Sequence, residues 1–209
     1  MKHTYYYLSA LFLCAFALTF VSCNDDEEDK EFANWEKTNT EYYQQLFSTT
    51  QQRIAGGDTS WKIIRNHTFE EPVATAPERN IIVHVLNEGS GSGYPLFSDS
   101  VHVHYRGRLL PSKSHPEGLV FDETWLGNYN LPTMYPAKLA LSALIDGFAT
   151  ALQHMHIGDR WQVYIPYQLG YGKEKQDAVP AYSTLMFDIT LMGYYRAGTV
   201  VPAWKAPRR

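Results

Sequence analysis

The pattern of apolar positions changes character several times along the chain. Residues 5–21 are almost wholly apolar (Tyr5, Leu8, Leu11, Phe12, Leu13, Phe16, Leu18, Phe20) after a short polar start of Lys2 and His3. That run is marginal for a membrane span and fits the apolar region of a secretion signal. Over 31–53 the spacing becomes three and four. Phe32, Trp35, Asn39, Tyr42 and Leu46 then fall on one face, widened by Tyr43 and Phe47, which predicts a helix. Gly56-Gly57-Asp58 ends it. The aromatic face is read as packing against the chain's own domain, or as a dimerisation arm carrying one polar Asn39. Residues 70–79 contain Pro72 and Pro77 and read as a linker.

Beyond the linker the period falls to two. Residues 61–64, ahead of the linker, already form a short candidate strand; after it residues 81–86 are rich in β-formers, and the glycines of 89–93 make a turn. Val101, Val103 and Tyr105 alternate with His102 and His104, which puts the two sets on opposite faces of a strand. Residues 140–154 are the helix candidate of this half, with Leu141, Leu144, Ile145, Phe148 and Leu152 on one side. Strands follow at 160–165 and 184–194, around a loop at 166–183 rich in Tyr, Gly and Pro. Antiparallel strands with one helix predict an α+β domain whose sheet curls over the helix.

Charge sharpens this division. Of 209 residues, 18 are Lys or Arg and 22 are Asp or Glu. Residues 25–31 hold a block of acids (Asp25, Asp26, Glu27, Glu28, Asp29, Glu31) broken only by Lys30, and the rest of the chain is balanced. A neutral body argues against nucleic acid as a partner, because phosphate binding needs concentrated positive charge. Apolar content of 44% with 19% charged residues is that of a globular chain. Two cysteines exclude a disulfide-built scaffold.

The run Phe20-Val21-Ser22-Cys23 resembles the lipobox of bacterial lipoproteins, with Phe20 in place of the usual Leu. The resemblance implies cleavage before Cys23, acylation of its thiol and attachment to the outer membrane of a Gram-negative cell envelope. More than one acyl chain gives stable anchoring. The acidic run after Cys23 resembles the export signal of surface lipoproteins, or is a solvated spacer. A plain thiol paired with Cys14 is the alternative for Cys23, but Cys14 lies inside the segment that would be removed. The expected organisation is a signal at 1–22, a tether at 23–30, helix and linker at 31–80, the α+β domain at 81–195 and a tail at 196–209.

Across 81–194 a series of short motifs occurs in order: Val103-His104-Tyr105-Arg106-Gly107, Phe121-Asp122, Leu144-Ile145-Asp146-Gly147-Phe148, Met155 with Gly158 and Arg160, Ile165-Pro166 with Gly170-Tyr171-Gly172, Val179-Pro180, and Thr184-Leu185 with Phe187-Asp188-Ile189 and Leu191. Together they resemble the FKBP family of peptidyl-prolyl cis-trans isomerases. The resemblance implies a half-barrel of antiparallel strands wrapped around one short helix. It assigns the reaction centre to Tyr105, Phe121, Asp122, Ile145, Phe148, Tyr171 and Phe187, and further substrate contacts to Leu144, Val179 and Leu139. Tyr171 and the Ile145 N–H would take substrate carbonyls, with Phe148 as the floor. One departure stands out: Pro136 is followed by Ala137, Lys138 and Leu139, where the family carries an aromatic side chain. The implied partners are proline-containing polypeptides and macrocyclic ligands of the family. No cofactor is implied, since no nucleophile, general base or metal is needed. A binding module with little turnover is the rival reading, motivated by the reduced aromatic wall. His84, His102, His104, His154 and His156 are read as solvent-facing side chains rather than metal ligands, and the basic tail as mobile.

Overall fold

The computed structural model describes residues 31–68 and 76–205. The expected signal at 1–22, Cys23, the acidic run up to Lys30 and Pro72 therefore lie outside the described residues. The elements are helix α1 (Trp35–Ala55), strands β1 (Trp61–Arg65), β2 (Asn80–Asn87), β3 (Ser100–Arg108), β4 (Val120–Glu123) and β5 (Ala137–Ala140), helix α2 (Asp146–Leu152), and strands β6 (Arg160–Ile165) and β7 (Leu185–Tyr195). Contacts group the chain into two units, one ending at Ala33 and the other starting at Asn34.

All seven strands join one antiparallel sheet in the order β1-β2-β6-β7-β3-β4, with β5 also on β3. Neighbours in sequence are thus not always neighbours in space: β2 and β3 are separated by β6 and β7. The connection between them passes close under the turn before β6. A Cβ on Gly89 would lie 2.3 Å from the Ile157 carbonyl oxygen, and one on Gly91 2.6 Å from Ile157 Cβ. The buried Asp159 carboxylate secures the crossing by accepting from the Gly89 N–H at 2.6 Å and the His156 N–H at 2.7 Å. The glycines of 89–93 are therefore required by close approach, and do not make a hairpin turn.

Side chains alternate across the sheet and divide the molecule into two packings. On the inner face Val83, Val103, Val163, Ile165, Leu185, Ile189 and Leu191 are buried, together with Leu152 and Phe148 of α2. Gly147 lets α2 approach closely, since a Cβ there would meet Ile165 Cγ2 at 2.3 Å. Asn66 Nδ2, after β1, donates to Thr150 Oγ1 at 2.8 Å and ties the helix to the sheet edge. The predicted helix over 140–154 is shorter than expected. Residues 137–140 pair with β3, and 141–143 form a single 3-10 turn before α2. Pro136 precedes that segment, and Ala140 to Leu144 fall outside the α-helix although Leu141 keeps its apolar face buried.

On the outer face α1 packs through Tyr43 and Phe47 against Ile82 and Tyr164, flanked by Tyr42, Leu46, Trp61, Ile63 and Met186. Its buried line is Trp35, Asn39, Tyr43, Phe47 and Thr50. This corrects the expected face: Tyr42 and Leu46 are only half-buried, and the seam runs through three steps of four before one of three, instead of alternating. The Tyr43 hydroxyl donates to the Asn80 carbonyl at 2.8 Å, and the Arg53 guanidinium lies 4.8 Å from the Trp61 ring centre. The exposed side of α1 is polar, with Glu36, Lys37, Glu41, Gln44 and Gln45. Among the described residues no helix is long and apolar enough to cross a membrane.

Candidate active site

The end of the sheet where β3, β4 and β7 meet carries a cluster of aromatic rings. Gly107 on β3 is opposite both Asp122 of β4 and Phe187 of β7. Tyr105 and Phe187 project from the inner face, and Phe148 rises from α2 to meet them. The Phe148 ring is edge-on to Phe187 at 5.0 Å and to Tyr105 at 5.6 Å. Phe121 is edge-on to Phe187 at 5.4 Å and to Tyr171 at 6.5 Å. Such edge-to-face contacts are favourable because each positive ring edge meets a negative ring face. Phe148 and Phe187 are buried, Tyr105 and Phe121 are half-buried, and Tyr171 is 39% exposed. The cluster therefore has a hydrocarbon base and an aromatic rim that reaches solvent.

One side of the rim is polar. The Tyr105 hydroxyl donates to Asp122 Oδ2 at 2.8 Å, which turns the ring toward β4. Burial pushes the Tyr105 phenol well above its ordinary range, and the Asp122 carboxylate pushes it further. Burial likewise raises Tyr171, helped by Asp122 and Asp177. Both hydroxyls therefore stay protonated and able to donate at neutral pH. Ile145 caps α2 from outside the helix, with φ −59° and ψ 147°, and its carbonyl accepts from the Phe148 and Ala149 N–H groups. The Ile145 N–H lies before the helical ladder and is not consumed by it. Leu144 and Ile145 are half-buried, while Val179 is buried in a tight turn closed by reciprocal bonds with Gln176 at 2.7 and 2.9 Å.

β5 supplies the remaining side. Leu139 stands opposite Val101, and Ala137 opposite Val103, so the pair share the inner face with Tyr105. Ala137 presents only a methyl group there.

Gly107 is a site residue that the motif contained but its listing of side chains omitted. A Cβ at Gly107 would lie 2.5 Å from Phe121 Cζ and 2.6 Å from Phe187 Cε1. The bare backbone is what lets both rings close over β3. Its signal in the sequence was the glycine ending Val103-His104-Tyr105-Arg106-Gly107.

A cleft of about 500 Å³ lies on the outer face, among Tyr42, Arg106, Trp125, Tyr129 and Arg160. Two of its arginines are paired within the protein. Arg160 makes two bonds to Asp188, at 2.9 and 2.5 Å, and its guanidinium sits 3.6 Å from the Tyr129 ring centre. Arg106 bonds Glu123 at 2.6 Å and the Trp125 carbonyl at 2.9 Å. The cleft shares Phe187 with the ring cluster but holds none of Tyr105, Phe121, Phe148 and Tyr171.

Two of the histidines correct the expectation of solvent exposure. His102 and His104 are buried on the outer face of β3. The loop after β4 lays Trp125 edge-on to His104, and Tyr195 and Trp204 cover His102. Alternation alone predicts a water-facing row here, but this face is roofed by aromatic side chains. Burial lowers the His104 pKa to about 4. His84 stacks on Trp61 at 4.5 Å. Among the described residues no group of three or more His, Cys, Asp or Glu side chains is placed to hold a metal ion.

Residues 94–192 match the family model of the FKBP-type peptidyl-prolyl cis-trans isomerases. The FKBP-type 22 kDa peptidyl-prolyl cis-trans isomerase of Escherichia coli is 33% identical over 132 residues, covering 63% of this chain and 57% of that protein. The macrophage infectivity potentiator of Trypanosoma cruzi is 27% identical over 199 residues, covering 94% of this chain and 88% of that protein. The crystal structure of FkpA from Escherichia coli shares the fold, with a TM-score of 0.56 and 24% identity over 90% of this chain and 72% of that one. The chain thus spans little more than half the length of its 22 kDa relative. Motifs, sheet and family model agree over residues 94–192, just under half of the chain, which are similar to the FKBP-type peptidyl-prolyl cis-trans isomerases.

Proposed function

We propose that this protein accelerates rotation about X-Pro peptide bonds in polypeptide clients of the cell envelope. The observation that carries the reading is the convergence of Tyr105, Phe121, Phe148, Tyr171 and Phe187 on one end of the sheet. An amide resists rotation because the planar form is stabilised by resonance, with a barrier of about 18–20 kcal/mol. Its planar form also separates charge between oxygen and nitrogen, and water favours that separation. An apolar aromatic site removes this advantage and so favours the twisted form relative to the planar one. The proline ring would rest on Phe148 and Phe187, flanked by Val179 and Leu144. The Tyr171 hydroxyl and the Ile145 N–H would hold client carbonyls, and Asp122 would orient Tyr105. No bond to the protein forms at any step.

The methyl group of Ala137 supports a second reading, a binding module that holds prolyl segments with little turnover. An isomerisation assay on a proline-peptide series, using protein that starts after Cys23, separates the two. Catalysis lost in Phe148→Ala supports the enzyme, whereas tight peptide binding by an inert wild type supports the module. We further infer acylation of Cys23 and attachment to the outer membrane, from the lipobox-like run before it. Mass spectrometry of the native protein tests this, and an unmodified Cys23 thiol refutes it. For α1 we favour packing on the chain's own sheet over pairing with a second copy, because its aromatic seam is already buried there. A dimer mass in sedimentation that becomes monomeric on removal of 24–57 would reverse that choice. Affinity for macrocyclic ligands of the family belongs to the same proposal and is read by competition with the peptide.

A further inference from the structure

The seam of α1 contains two polar anchors that reach the loop before β7. The Trp35 indole N–H donates to Ser183 Oγ at 2.8 Å, and Ser183 Oγ–H donates to the Pro180 carbonyl at 2.7 Å. One helical turn on, the fully buried Asn39 accepts from the Thr184 N–H at 2.7 Å, while its own Nδ2 donates to the Trp35 carbonyl at 2.7 Å. Ser183 and Thr184 are thus clamped side by side against one helix.

The clamp acts on a loop that carries two pocket residues. Between Gly172 and Ser183 the chain returns on itself, and the Tyr182 N–H donates to the Gly172 carbonyl at 3.0 Å, next to Tyr171. Pro180, held by Ser183, directly follows Val179. Tyr182 itself has φ of +61°, in the left-handed region that disfavours a residue with a bulky side chain. Such a conformation persists only where its surroundings over-determine it. Here the bond to Gly172 holds it from one side and the clamped Ser183-Thr184 pair from the other, with the Tyr167 ring edge-on at 5.2 Å.

We propose that Trp35 and Asn39 are positioning residues for the isomerase pocket: by clamping Ser183 and Thr184 they hold Tyr182 in its left-handed conformation and so fix Tyr171 and Val179 at the rim. The helix then serves the pocket from the outer face of the sheet, opposite the ring cluster. This inference rests on the isomerase reading of the same site.

The test uses the full-length chain in detergent, with Trp35→Phe, which keeps the ring and removes the N–H donor, with Ser183→Ala, and with the double variant. Three quantities are read: kcat/KM with its KM component on a proline peptide, melting temperature, and amide exchange. The expected result for Trp35→Phe is a loss of about fivefold in kcat/KM, the size of one hydrogen bond, appearing mainly in KM. The Tyr182, Val179 and Thr184 amides should exchange at least about tenfold faster, while those of Val163 and Ile189 keep their protection. The double variant should be no worse than the poorer single variant, because both remove the same bond. Unchanged exchange in the loop, or faster exchange spread equally through the sheet, overturns the proposal. Active wild type with undiminished kcat/KM in Trp35→Phe also overturns it. An inert wild type overturns the isomerase reading instead; loop exchange and peptide affinity in the variants then decide whether the clamp positions the rim.

Discussion

The two faces of the sheet use the same strands for opposite ends. On β3, Tyr105 turns inward to Phe148 while its neighbours His104 and Arg106 turn outward to Trp125 and Glu123. On β7, Phe187 joins the ring cluster while Asp188 pairs with Arg160 behind it. The inner face is dry hydrocarbon ending in an open aromatic rim. The outer face is closed by α1, by the Trp125 loop and by ion pairs that are neutralised in place. The difference teaches that the strongest ion pairs of this fold stand apart from its ring cluster. Strong ionic contacts lie on the supporting face, and the face proposed to act on prolyl bonds owes its effect to the exclusion of water.

The sharpest test of that division is Gly107→Ala. A methyl group there must displace Phe121 and Phe187, at a stability cost of about 1–3 kcal/mol for overpacking. The expected loss in kcat/KM is about 100-fold, equivalent to about 2.7 kcal/mol of transition-state stabilisation. Retained activity with a normal melting temperature would show that the rings need not sit where they do.

A matched pair comes next. Phe148→Leu on the inner face and Phe47→Leu on the outer face should each destabilise by up to about 1.5 kcal/mol, measured by urea unfolding. Only Phe148→Leu should lower kcat/KM, by about tenfold, whereas Phe47→Leu stays within about twofold. Equal losses would mean that α1 packing and the ring cluster are not separable.

Tyr105→Phe removes the bond to Asp122 but keeps the ring, and a few-fold loss in kcat/KM is expected from one hydrogen bond of about 1 kcal/mol. The smallest effect on turnover comes from the outer face, whose pH dependence is read in stability instead. His104 is neutral in the fold with its pKa lowered to about 4, below the ordinary value of about 6.5 in an unfolded chain. The unfolded state then binds more protons between these values. The stability this group contributes is therefore intact above about pH 6.5 and is lost progressively as pH falls toward 4. A melting curve series on wild type and His104→Leu should show a shallower acid decline in the variant, and parallel declines would remove His104 as a cause.

Much of this architecture was legible in the chain. The 160–165 strand and the long closing strand follow from β-branched and aromatic alternation alone, and α1 from its repeat of aromatic residues. The site residues stood out through short ordered motifs rather than through any charge pattern. What escaped was set by contacts distant in sequence. His102 and His104 looked solvent-facing because alternation says which residues share a face but not what covers it. The face of α1 was rotated because spacing averages over neighbouring rows, whereas Tyr43 and Phe47 are selected by the shape of Ile82 and Tyr164 beneath them. Gly107 drew no notice because a missing side chain has no chemistry of its own until two rings arrive above it.

Local sequence determined which segments become strands, where helices start, and which side chains are offered to each face, because backbone sterics and period act over a few residues. Tertiary structure alone decided that β2 and β3 part to admit β6 and β7, that α1 clamps a loop more than a hundred residues away, and that five rings form one cluster. Those outcomes depend on which surfaces exclude water together, a property of the assembled sheet that no window of the chain contains.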